Sequence, residues 1–117
     1  MMTKSPYLFI VSMNIDADRE QMFNDVYDQE HIPNLIKVPG VAEVTRYKTI
    51  AFRLAIGGSV RLVEASAPKY HTLYGLERPE VLVSREWSEA VDRGRWPTDV
   101  RPYTRDRRHM LLERSDR

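Results

Sequence analysis

The stretch from 27 to 35, YDQEHIPNL, carries the residue type best suited to proton transfer near neutral pH. His31 falls four residues after Tyr27 and eight after Phe23. On a helix those spacings put all three rings on one face. A histidine between a core and a cavity can take or give a proton. A place in the last helical turn favours its charged form through the helix dipole, and the neighbouring Glu30 adds to that if the side chains meet. The plainer role is a histidine that caps the helix end or binds a backbone carbonyl.

Arg46 is the second candidate. It alternates with Ala42 and Val44 on a strand, so it faces the helices if they do. A guanidinium there needs an anion, either a substrate carboxylate or Glu30 or Asp28. Tyr70, Thr72 and Tyr74 share a strand face and offer apolar rings with hydroxyl tips. Trp96, just before Pro97, is placed to cover a pocket mouth or a subunit edge. The expected catalytic pair is therefore His31 and Arg46, with Tyr27, Glu30, Tyr70, Tyr74 and Trp96 as substrate-binding residues. Core and dimer packing is the competing role for the tyrosines, as core packing is for Trp87.

Other chemistries find little support. The 117 residues contain no cysteine, which excludes a thiol nucleophile, disulfides and cysteine-ligated metals. His31, His71 and His109 lie on different elements without a ligand spacing, so no metal site is expected. His109 is expected on the far side of the sheet from the helices. IGGSV, 56–60, has no phosphate-loop lysine, and no serine sits in a nucleophile elbow. A net charge of +1 gives no field for nucleic acid, and the basic tail is interrupted by Asp106, Glu113 and Asp116. The apolar run Tyr7–Met13 is too short to span a membrane and reads as a strand. Neither a nucleic-acid nor a membrane partner is expected, and the composition fits a cytoplasmic protein.

Elements must hold these groups in place. The length suggests one domain, 1–117. Strands are predicted at 7–15, 41–49, KYHTLYGLE and DRRHMLLERS. A helix is predicted from Ala17 to about Ile32, opened by an Asp18–Gln21 capping box and ended or kinked by Pro33. A second helical region follows Pro79, with Ser84 as a cap and Gly94 as a stop. RWPTDVRP reads as a loop, and 50–68 as an inserted hairpin or a long loop around GGS. The order β-α-β-β-α-β is the ferredoxin-like arrangement, an α+β fold with a four-stranded antiparallel sheet and two helices on one face. The sheet is apolar on both faces, so a homodimer through the open face is expected.

FNDVYDQEHIPNLIKVPGVAEVTRY, then PKYHTLYGLE and REWSEAVDRGRW, resembles the EthD-like members of the dimeric α/β-barrel superfamily over about residues 7–114. The resemblance implies a dimeric barrel and a helix histidine at a pocket. The insertion at about 50–68 is longer than that pattern. The wider superfamily holds lactone isomerases, polyketide cyclases, cofactor-free monooxygenases and haem-degrading enzymes. The expected function is cofactor-independent acid–base chemistry on a small apolar or aromatic acid, ketone or lactone, as an isomerase, cyclase or lyase. A non-catalytic small-ligand-binding or interaction module and a cofactor-free monooxygenase are the alternatives.

Overall fold

The computed structural model describes residues 4–116; residues 1–3 and 117 of the expected domain lie outside it. Alternating apolar residues build four long strands, β1 (Tyr7–Ile15), β2 (Val41–Lys48), β5 (Tyr70–Leu76) and β6 (Thr104–Glu113). They form one sheet in the order β2-β5-β1-β6, with every neighbour antiparallel. Between β2 and β5 the chain forms a separate hairpin of β3 (Phe52–Ile56) and β4 (Ser59–Val63). The architecture is α+β and consistent with a ferredoxin-type fold.

The first helical segment spans Ala17 to Leu35, slightly beyond Ile32, and is not one regular helix. A 3-10 turn, Ala17–Arg19, leads into α1 (Glu20–Val26), a wide π turn, Tyr27–His31, and α2 (Ile32–Leu35). Neither opening turn carries a side-chain cap, so the Asp18–Gln21 box does not form. Of the two outcomes expected at Pro33, an end or a kink, the helix does not end there: it runs on through an irregular turn. In a regular helix its ring collides with the carbonyl four residues back. The π turn widens the spiral there, and the Ile32 amide bonds the Tyr27 carbonyl instead. A 3-10 turn, Pro79–Val83, precedes α3 (Arg85–Val91), where the Ser84 hydroxyl accepts the Trp87 amide at 3.1 Å as a cap. The predicted loop after Gly94 is structured as a π turn, Trp96–Val100, and a 3-10 turn, Arg101–Tyr103. Trp96 and Val100 recur at a helical interval, and both are buried.

The helical segments cover the sheet face that carries Phe9, Val11, Met13, Thr72 and Tyr74. Two apolar clusters form there, one around Phe23, Val26 and Trp96 and one around Leu35, Leu76 and Ala90. Two irregularities rearrange the faces. A bulge in β2 places Val41 opposite Leu76 and Glu43 opposite Gly75, so Val41 joins the helix side. In the β1–β6 pair, Ser12 faces Arg108 and Asn14 faces Arg105, leaving Asp106 and Arg107 together beside Met13. Asp106 takes a left-handed φ of 54° and accepts a 2.8 Å hydrogen bond from the Asn14 amide.

The open face holds Leu8, Ile10, Leu73, Met110 and Leu112, together with a polar chain around His71. Thr49 Oγ1 donates to the Pro68 carbonyl at 2.8 Å. That hydroxyl therefore accepts from His71 Nε2 at 2.5 Å, which leaves Nδ1 to accept from Ser12 Oγ at 2.7 Å.

The β3–β4 hairpin stands off the body. Phe52, Leu54, Ile56, Val60 and Leu62 are all exposed. The radius of gyration is 16.0 Å, above the roughly 13 Å of a compact chain of this length. Burial should separate two leucine truncations in urea unfolding. Leu35→Ala, in the core, should cost about 2–5 kcal/mol, whereas Leu54→Ala should stay within about 0.5 kcal/mol. Similar losses at both positions would place the hairpin against the body.

Candidate functional site

The π turn brings Tyr27 and His31 to the junction of the two apolar clusters. His31 is 4% exposed, and its Nδ1 has no hydrogen-bond partner among the described residues. The imidazole lies flat on Trp96, with centroids 4.2 Å apart and planes 19° apart. Tyr27 meets it edge-on at 5.1 Å. Burial, and secondly the Arg101 guanidinium, pull its pKa from 6.5 down to about 4. His31 is thus neutral at neutral pH. The expected imidazolium is corrected because desolvation outweighs the helix dipole.

Glu30 does not offset that charge cost, because it turns away from the imidazole. Its Oε1 accepts the Arg95 amide at 3.0 Å, and its Oε2 pairs with Arg95 Nε at 2.5 Å. These contacts, the amide first, hold its carboxyl below the usual range. Gly94 lies against the same carboxylate with φ +74°, where a Cβ would collide with Glu30. Glu30 therefore clamps the chain immediately before Trp96. It acts on the site by positioning that ring rather than by contact with the cavity.

A cavity of about 230 Å³ opens in front of His31. Tyr27, Trp96, Tyr74, Phe9, Arg101 and Arg107 are among its lining residues. His109 is another, and it stacks on Phe9 at 5.9 Å, so it faces the helices and not the far side as expected. Its register opposite Val11 places it there. Burial, then Arg107, lowers its pKa as well. The Tyr27 hydroxyl meets those of Thr72 and Tyr74, and burial raises the pKa of both phenols, keeping them protonated. Among the described residues no acidic side chain lines the cavity.

Arg46 is absent from this lining. Its Nη1 pairs with Asp28 at 3.0 Å, its Nη2 donates to Asn24 Oδ1 at 2.8 Å, and its guanidinium covers the Tyr27 ring at 4.6 Å. Asp28, not Glu30, is its anion. Tyr70 donates to Glu20, which also pairs with Lys69, and lines a shallow depression shared with Arg46. The candidate set therefore separates. His31, Tyr27, Tyr74 and Trp96 share a cavity; Arg46 and Tyr70 lie beyond Tyr27; Glu30 lies behind the Trp96 loop. Sequence reasoning did not select Arg101, Arg107 or His109. The period-two pattern of 107, 109 and 111 marks one strand face, but only the register with β1 tells which face that is.

Among solved structures the chain is similar to the crystal structure of an ethyl tert-butyl ether d (EthD) family protein from Bacillus halodurans, with a TM-score of 0.60. The match covers 93% of this chain and 99% of that one at 12% identity. The chain thus has an EthD-like fold. No protein-family model matches the sequence, and no curated protein does. Among the described residues no helix is long and apolar enough to cross a membrane.

The buried imidazole ties stability to pH. Between about 4 and 6.5 the unfolded chain binds more protons at His31 than the folded one, so stability rises with pH across that window and is lost as pH falls through it. The contribution is on the order of 3 kcal/mol. Urea midpoints at pH 7 and pH 4 should therefore converge in His31→Gln relative to wild type. An equal pH slope in both proteins would mean that His31 is not buried neutral.

Proposed function

We propose that this chain is a small cofactor-independent enzyme that moves a proton on an apolar or aromatic acid, ketone or lactone, in an isomerisation, cyclisation or elimination. The observation that carries this reading is the buried, neutral His31 among the residues that line a partly enclosed cavity. Such a group takes a proton from carbon without first losing one. Tyr27 and Tyr74 supply protonated phenols that donate to an oxygen as it gains charge. Arg46 steadies Tyr27 from behind through its ring face. An apolar cavity of about 150 Å³ admits a benzene-sized molecule. The space here therefore suits one ring with a short substituent.

Deuterium uptake from D2O beside the carbonyl of phenylacetone and of phenylpyruvate, followed by NMR, tests the chemistry. Uptake should exceed the buffer rate. For phenylacetone, kcat/KM should rise with pH through about 4 and then level, following the free imidazole. His31→Gln should lower the rate by about 100-fold or more. Buffer-rate exchange with both probes, or an unchanged rate in His31→Gln, would remove His31 from any acid–base role.

We also propose a homodimer through the open sheet face, closing a dimeric α/β barrel. Leu8, Ile10 and Leu73 form an apolar strip there, and Met110 and Leu112 are 56% and 42% exposed. A second sheet would cover that strip. Sedimentation at micromolar concentration should give a two-chain species, and Met110→Glu should give folded monomers. A wild-type monomer would sink the dimer and leave the cavity chemistry untouched.

A further inference from the structure

We propose that the cavity takes a single-ring monocarboxylate, with its anionic group held by Arg107 and its ring among Trp87, Trp96 and Phe9. The proposal rests on reading this cavity as the ligand site, and it names both the ligand charge and the residue that selects it.

The charge of the lining comes first. Arg101, Arg107, His31 and His109 line the cavity, with no carboxylate among them, and Tyr27 and Tyr74 remain uncharged phenols. The two guanidiniums are not equivalent. Arg101 Nη2 pairs with Asp92 at 2.6 Å and donates to the Val91 carbonyl at 3.2 Å, so its charge is matched within the protein. Arg107 has no carboxylate partner among the described residues. A cation beside an apolar, partly enclosed space attracts an anion more strongly than it would in open water. Arginine also presents two parallel N–H donors to a carboxylate.

The backbone is the second, independent observation. Arg107 belongs to the bulge where two residues of β6 oppose Met13 of β1. The bulge contains the left-handed Asp106, held by Asn14. Aspartate is among the few non-glycine residues that visit that region, and the Asn14 side chain holds it there. Bulges next to sites commonly re-aim a side chain. Here the side chain that follows the left-handed residue lines the cavity, with no carboxylate partner among the described residues.

Size and wall chemistry complete the description. A volume of about 230 Å³ leaves room for one ring and a carboxylate. Trp87, Trp96, Phe9 and Val11 present apolar surface to the ring. A dianion or a nucleotide would need a second unmatched cation, and Arg101 is already paired.

The test uses benzoate and its neutral isostere benzamide, with the His31 ring signals in NMR reporting occupancy. Benzoate should shift those signals to saturation and raise the His31 midpoint above about 4. Benzamide should bind at least about tenfold more weakly. Arg107→Gln should abolish the benzoate preference, and Arg107→Lys should keep part of it. Arg107 is exposed, so the fold should survive either change. Equal binding of the two probes, a benzoate preference that persists in Arg107→Gln, or no shift with either probe at tens of millimolar would each overturn the proposal. Benzoate preference without any deuterium exchange would keep the anion site and sink the catalytic reading. Exchange on phenylacetone without benzoate preference would do the reverse.

Discussion

The arrangement of the cavity depends on burying an uncharged imidazole against an indole. His31 and Trp96 come from segments far apart in sequence, and neither would hold the stack alone. The π turn carries His31 inward with Tyr27, so one irregular turn supplies two walls. Trp96 is set by Glu30, which captures both the amide and the side chain of the residue just before it. Glu30 and His31 are adjacent, so one turn of helix both presents the imidazole and fixes the ring that covers it. The exposed ion pair Arg85–Glu89 is worth little. The Glu30–Arg95 contact gains force from its amide bond and from the tight passage of Gly94.

Much of the scaffold was legible because strand alternation and turn residues are local signals. The strands, the inserted hairpin and the Ser84 cap follow from side-chain chemistry over a few neighbours. The misreadings have non-local causes. Pro33 reads as an end or a kink because the rule behind it assumes a regular helix, and the π turn removes the clash that the rule describes. RWPTDVRP looked like a loop because two prolines mask the spacing of Trp96 and Val100. The histidine charge was misjudged since a sequence displays the helix dipole and a neighbouring glutamate but not desolvation. The direction of His109 depended on register, and a shift of one residue reverses a strand face.

The same non-locality splits the candidate site. Arg46 lies on the helix side of β2, yet helix residues Asp28 and Asn24 intercept it before it can reach the cavity. Its charge is matched there, so the positive character of the cavity comes from other residues. Both cavity arginines belong to the C-terminal quarter of the chain, which composition presents as an ordinary basic surface segment. Within that segment, pairing decides the difference: Arg101 is satisfied by Asp92, and Arg107 is not.

A histidine with a pKa near 4 is a poor base toward a carbon acid at neutral pH, since proton-transfer driving force falls with basicity. The depression has two causes, burial and the positive charge of Arg101. An anion seated beside Arg107 would counter the second by placing negative charge near the ring, favouring the imidazolium. The carboxylate and the base would then be coupled: binding the anion would strengthen His31 at the moment a proton is to be moved. A neutral ligand of the same shape, such as phenylacetone, would still exchange, but more slowly, because His31 would act at its unassisted basicity. Selectivity for anions would thus reside partly in the reactivity of the base and partly in the grip of Arg107. It would appear in kcat, which reports the bound complex, as well as in affinity.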